Sequence, residues 1–177
     1  MNDDQKLIER FLLGDESAFN ELVNHHKNWV FDFIFKFTKN REDAQDLAQD
    51  VFVKVYFNIR KFRGDAKFKT WLYRIIINQT NTFFAKQKLL SWFQNDYDEC
   101  ADQTVSDSDP SVTQTKLMNT VKRLAKVQRN VVLLRVFQDM TFKEVSEVLS
   151  ISENSAKVSF HKAKQNLRGL TNGKFEI

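Results

Sequence analysis

Apolar residues recur at helical spacing through two long stretches of this chain, with a polar, acidic segment between them. In the first stretch Phe19, Leu22, Val23, Val30, Phe33, Ile34 and Phe37 share one helical face. That rhythm predicts a long helix from near Asp15 to about Lys39, with Asn40 as its C-terminal residue. A shorter helix is expected before it, near 4–13, capped by Asp3 or Asp4 and stopped by Gly14. Ala44, Leu47, Val51, Val55 and Ile59 form a third stripe over about 41–60. Trp71, Leu72, Ile75, Ile76 and Phe83 form a fourth over about 68–87. Between these two lies FRGDAKF (62–68), a basic loop centred on Gly64. The second stretch predicts helices near 112–125, 128–138, 142–149 and 153–168. Thr141 with Glu144 forms the T-x-x-E signature of a reciprocal helix cap, and Ser152 is placed to cap the last helix.

The joint between the stretches, QNDYDECADQTVSDSDPSVTQT (94–115), has no helical periodicity and holds the one proline, Pro110. Such a segment buries too little apolar area to offset the entropy of ordering it. The pattern therefore predicts an N-terminal domain over 1–88, an acidic flexible linker over 89–111 and a C-terminal domain over 112–177. The expected fold class is all-α, as two small four-helix domains. With 4 Gly and 1 Pro in 177 residues, there is little material for strands and tight turns, which favours the same reading.

Charge sharpens the picture. Residues 1–57 carry 7 Lys/Arg against 11 Asp/Glu, whereas 58–88 carry 8 against 1. Residues 89–115 carry none against 6, and 116–177 carry 12 against 5. Two basic blocks, an acidic front and an acidic joint point to two polyanion-binding surfaces. The plainer alternative is chance variation over short windows. The single cysteine, Cys100, rules out an internal disulfide and a Cys-rich metal site. His25 and His26 are neighbours on a helix and point in different directions, so no metal is expected there. No phosphate-binding loop, nucleophile motif or paired acid/base site stands out, so neither enzymatic activity nor a cofactor is expected. The acidic start MNDDQKLIER is unlike a secretory signal. The most apolar run, WVFDFIFKF (29–37), is interrupted by Asp32 and Lys36 and is too short to span a bilayer. A cytoplasmic protein without membrane insertion is expected.

TFKEVSEVLSISENSAKVSFHKAKQNL (141–167) has the layout of a helix-turn-helix. A short helix with Phe142, Val145, Val148 and Leu149 leads through Ser150-Ile151-Ser152-Glu153 into a longer basic helix that buries Ala156 and Phe160. One helix of that size enters a major groove while the preceding one crosses behind it. An amphipathic hairpin with a solvated basic face is the alternative on spacing alone. VQRNVVLLRVFQDMTFKEVSEVLSISENSAKVSFHKAKQNL (127–167) resembles region 4 of the sigma-70 family. Gln128, Val131, Leu134 and Arg135 match that region's first helix, and Glu144, Val145, Leu149, Ile151, Ser152, Lys157 and Ala163 match its turn-helix unit. The resemblance implies that Ser155, Lys157, Ser159, Phe160, His161 and Lys164 meet the −35 promoter element. Ser146, Ser150, Ala156 and Ser159 depart from the usual pattern. Ser150 stands where glycine is usual, so a left-handed turn there costs about 1 kcal/mol relative to glycine.

The N-terminal stretch resembles region 2 of the same family. DAQDLAQDVF (43–52) matches its polymerase-binding helix, where Asp43, Asp46 and Asp50 share a helical neighbourhood. By themselves these acids also suit a helix N-terminus on a solvated face. The resemblance implies core RNA polymerase contacts by Asp43, Asp46, Leu47, Gln49, Asp50, Phe52 and Val53. FRGDAKFKTWLYRI (62–75) matches the segment that meets the −10 element and helps to melt it. Opened bases call for flat rings, and their backbone calls for cations. The implied contacts are Arg60, Lys61, Arg63, Gly64, Asp65, Lys67, Lys69, Thr70, Trp71, Arg74, Asn78 and Lys86. For Trp71 and Tyr73 the residues alone leave both packing and base stacking open.

LIERFLLGDESAFNELV (7–23) resembles the opening of the extracytoplasmic-function type within this family. The implied protein is an alternative-type sigma factor without catalysis of its own. Its implied partners are core RNA polymerase, promoter DNA and an anti-sigma factor, and it is expected to be a monomer when free. The competing reading is a stand-alone helix-turn-helix regulator of duplex DNA, which leaves FRGDAKFKTWLYR without a role.

Overall fold

Short polar side chains set where several of the helices begin. In a computed structural model that describes residues 3–94 and 117–170, α1 spans Asp3–Leu12 and ends at Gly14, whose φ is +103°. Asp15 caps α2 (Glu16–Thr38) by accepting the Ser17 N–H at 3.0 Å. The Ser17 hydrogen bonds and then Arg10 hold its carboxyl below the ordinary carboxylate range. Asn40 does not end α2, as its position suggested. Its side chain accepts from the N–H groups of Glu42 (2.8 Å) and Asp43 (3.1 Å), so it opens α3 (Arg41–Asn58). The reversal falls instead on Lys39, which takes the left-handed conformation with φ 56°. A helix followed at once by another needs a C-terminal turn and an N-terminal acceptor. Asparagine serves the second role best.

The end of α3 tightens into a 3-10 turn over Ile59–Lys61, and the loop follows, with Gly64 at φ +78°. Helix α4 spans Phe68–Gln94, beyond the expected end near 87. The added residues KLLSWFQ (88–94) contain no Gly, Asn or Pro to end a helix, so nothing local stops it there. The expected linker thus begins as helix over 89–94. Residues 95–116, with Cys100, Pro110 and the rest of that linker, lie outside the described residues.

Two compact units divide the chain, Met1–Thr80 and Asn81–Ile177. The first is built around α2. Leu22, Val30, Phe33, Ile34 and Phe37 are each at most 1% exposed. Around them lie Leu7 and Ile8 of α1, Ala44, Val51 and Val55 of α3, and Leu72, Tyr73 and Ile76 of α4, all buried. Burying one such large side chain contributes roughly 1.5–3 kcal/mol, so this stripe dominates the unit. The buried Thr80 hydroxyl donates to the Ile76 carbonyl at 2.8 Å, so it is not left unpaired.

The second unit contains α5 (117–122 described), α6 (Lys126–Phe137), α7 (Phe142–Leu149) and α8 (Glu153–Leu170). Val131, Val132, Leu133 and Leu134 of α6, Val145 and Val148 of α7, and Ala156, Ala163 and Leu167 of α8 are buried together. Arg129 donates to Asn81 Oδ1 at 3.0 Å and lies 4.8 Å over the Phe84 ring. Burial pulls its pKa below the ordinary arginine value. Among the described residues every regular element is a helix, as expected, and no described helix is long and apolar enough to cross a membrane.

The turn of the helix-turn-helix carries the expected backbone cost. Ser150 sits in the left-handed region at φ 54°, and its N–H donates to the Ser146 carbonyl. Ser150→Gly is therefore expected to raise unfolding free energy by about 1 kcal/mol. Urea denaturation with an unchanged m-value checks this.

Candidate nucleic-acid interface

The helix-turn-helix is fixed by caps at both of its starts. The Thr141 hydroxyl accepts from the Glu144 N–H at 3.2 Å, and the Glu144 carboxylate accepts from the Thr141 N–H at 2.8 Å. Ser152 Oγ accepts the Ser155 N–H at 3.0 Å and starts α8. Phe142 of α7 meets Phe160 of α8 edge-on at 5.6 Å, which sets the two helices against each other. Of the residues expected on the −35 side, Ser155, Lys157, His161 and Lys164 are exposed, while Ser159 and Phe160 are half-buried. Phe160 is largely spent on packing. Lys157 pairs with Glu153 at 2.7 Å, and Lys164 lies 5.8 Å from the Phe160 ring. Gln165 approaches His161 at 3.1 Å. The outer face of α8 is therefore cationic and polar, as a groove-facing helix requires.

The first unit offers two chemically different faces. On α3, Asp46, Gln49, Asp50 and Val53 are exposed at helical spacing, and Asp43 and Phe52 are half-buried. Leu47 points inward, at 5% exposure. The exposed stripe continues into Phe57, 71% exposed, with Tyr56 beside it at 42%. These two rings were not among the expected contacts. An exposed phenylalanine outside the inward stripe is the only sign the sequence gives of them. Tyr56 also closes a ring cluster with Phe11 (5.5 Å) and Phe19 (5.1 Å), which ties α1 and α2 to this face.

The other face is basic. Arg60, Lys61, Arg63, Gly64, Asp65, Lys67 and Lys69 are exposed, and Thr70 and Arg74 are half-buried. A cleft of about 370 Å³ runs between the end of α3 and the start of α4. It gathers Lys61, Trp71, Arg74 and Asn78, and adds Lys54, Asn58 and Gln79, which the sequence reading did not select. Lys54 and Asn58 precede the recognised motif by a turn or more, so only their placement on the outer end of α3 reveals them. Lys86 is exposed further along α4 and is not part of this cleft.

The two aromatic residues separate. Tyr73 is 4% exposed and meets Trp29 at 4.7 Å and Phe33 at 5.8 Å, so it belongs to the hydrophobic core. Trp71 is half-buried. It packs on Phe62 (5.6 Å) and Phe68 (5.7 Å) while also lining the cleft.

Two family models match this chain, Sigma-70 region 2 over residues 22–89 and Sigma-70 region 4 over residues 114–167. Together they cover more than half of it, in order. The chain belongs to the sigma-70 family. It is an alternative sigma factor of the extracytoplasmic-function type, a class that directs RNA polymerase to promoters. Over 177 aligned residues it is 28% identical to the ECF RNA polymerase sigma factor SigW of Bacillus subtilis, covering 93% of this chain and 94% of that one. Its fold is similar to that of CnrH, solved in complex with the cytosolic domain of CnrY, with a TM-score of 0.68 and 21% identity over 98% of this chain and all of that one. It is also similar to the sigma factor RpoE of Bartonella quintana, solved with the anti-sigma factor NepR, with a TM-score of 0.60 and 15% identity over 89% and 98% of the two chains.

The split between the two aromatics gives a measurable contrast in this sigma factor. Tyr73→Ala is expected to lower stability by about 3 kcal/mol, as removal of a fully buried ring does. Trp71→Ala, at a half-exposed position, is expected to lower it by less. Equilibrium denaturation of the two variants side by side checks the difference.

Proposed function

We propose that this sigma factor docks on core RNA polymerase through the outer face of α3, reads an opened −10 element with the loop and α4, and reads duplex −35 DNA with α8. In this reading Asp46, Gln49, Asp50 and Val53, extended by Phe57, form the polymerase-facing surface. Arg60, Lys61, Arg63, Lys67 and Lys69 follow the single-strand backbone. Trp71, Arg74 and Asn78 face its bases, with Lys54, Asn58 and Gln79 beside them, and Lys86 adds a cation further along α4. Ser155, Lys157, His161 and Lys164 meet the −35 duplex, with Ser159 and Phe160 supporting them. The protein works in the cytoplasm, has no catalysis of its own, and is held by an anti-sigma factor until released.

The observation that carries this reading is the basic, amide-rich cleft with Trp71 on its wall. A cation-lined groove with an aromatic platform suits unpaired bases and is of little use to a protein that reads only duplex. The acidic and apolar face of α3 supplies a second docking surface of opposite charge, so polymerase and DNA need not compete for one face.

Mixing the purified protein with core RNA polymerase is expected to give a co-eluting complex that starts run-off transcription at one position. Asp46→Arg reverses charge on the docking face and is expected to weaken that complex roughly tenfold or more. Footprinting of duplex DNA by the free protein, without any polymerase complex, would instead establish the stand-alone regulator.

For the −35 side, Lys157→Ala and Lys164→Ala are each expected to weaken binding to all duplex sequences alike. Each is also expected to lower the salt-dependence slope by about 1. Fluorescence anisotropy over a salt series checks this.

A further inference from the structure

The first turn of α1 stands beside the loop to which −10 reading is assigned above. A cleft of about 290 Å³ has Asp4 and Gln5 on one side and Phe62, Phe68 and the loop residues 64–67 on the other. Asp4 is held there. Its Oδ1 lies 2.9 Å from Nε2 of His26 on α2, and the two side chains are 16% and 13% exposed. The His26 ring lies 5.3 Å from Phe68, which in turn meets Phe62 at 5.8 Å and Trp71 at 5.7 Å. One hydrogen-bonded pair thus fastens α1 to the aromatic group on which the loop rests. Withdrawn from water, such a bond holds geometry better than a surface pair does.

The lining of this cleft selects its ligand. Asp4 and Asp65 border it with Lys67, and two carboxylates against one ammonium leave a net negative lining that disfavours a phosphate. The carboxylates suit the donor groups of a neutral base, and the Gln5 amide offers both a donor and an acceptor. We propose that the first turn of α1 is the second wall of the −10 reader. Gln5 contacts an unstacked base in the cleft, and Asp4 and His26 are positioning residues that hold this wall against the loop. The inference rests on the −10 reading and adds to it a helix that lies before the residues of the region 2 match.

The test uses holoenzyme reconstituted with core RNA polymerase and a fluorescent single-stranded oligonucleotide carrying the −10 segment of a promoter mapped by run-off transcription. Gln5→Ala and His26→Ala are expected to weaken binding about tenfold each. His26→Gln keeps a donor near the Nε2 position and is expected to restore most of it. Affinity for core polymerase is expected to stay unchanged in all three. Wild-type binding by Gln5→Ala and His26→Ala, with loss in Arg74→Ala, overturns the role of α1 and leaves the −10 reading standing. No loss in Arg74→Ala overturns the −10 reading itself, and the inference with it. A loss in His26→Ala that His26→Gln does not restore overturns the positioning role. Thermal melting of each variant separates unfolding from these effects. If His26→Ala does not fold, Gln5→Ala decides alone.

Discussion

The burial of one face of α2 is the constraint on which the first unit depends. Phe33, Ile34 and Phe37 cannot be withdrawn from water by a lone helix, so α1, α3 and α4 are drawn around them. Tyr73 of α4 meets Trp29 and Phe33 of α2, and this ring contact fixes how the start of α4 is presented. The neighbouring Lys69 lies 4.9 Å over the Trp29 ring, so the same helix surface that fills the core also holds a cation at the basic face. Function on the outside is set by packing on the inside.

A four-helix unit has enough outer surface to keep two chemically different faces apart. The α3 stripe turns carboxylates outward because Ala44, Leu47, Val51 and Val55 occupy the inward positions. One helix can therefore start acidic and finish beside the cationic cleft, with Lys54 and Asn58 belonging to the latter. In the second unit the economy is different. Alpha-helix α8 is short of large apolar residues, and small Ala156 and Ala163 let it pack closely while long polar side chains cover its other faces.

Helix identity was legible in the sequence because period and caps agreed. Gly14, Asp15, Thr141, Glu144 and Ser152 mark their boundaries by local chemistry, and local chemistry does not depend on the rest of the fold. Asn40 was harder, since asparagine suits either the end of one helix or the start of the next. Only the position of the acceptor relative to Glu42 and Asp43 decides. The extent of α4 was missed because composition marks where order loses its driving force, whereas a helix continues until something stops it. The candidate site was legible where residues lie close in a motif. Lys54, Gln79 and Phe57 were not, because their membership follows from which way a helix turns, and Asp4 and His26 meet across 22 positions of sequence.

The α3 face has a kinetic consequence. In the docking proposed above, its first half presents charge and its far end presents exposed rings, so the two phases of docking would fall to different residues. Charges act at a distance and set how often a basic partner is met in a productive orientation, an effect that fades as salt rises. Apolar contacts act only once water has left, and they set how long the encounter lasts. A surface graded in this way lets arrival rate and dwell time be adjusted separately, by changes at opposite ends of a single helix.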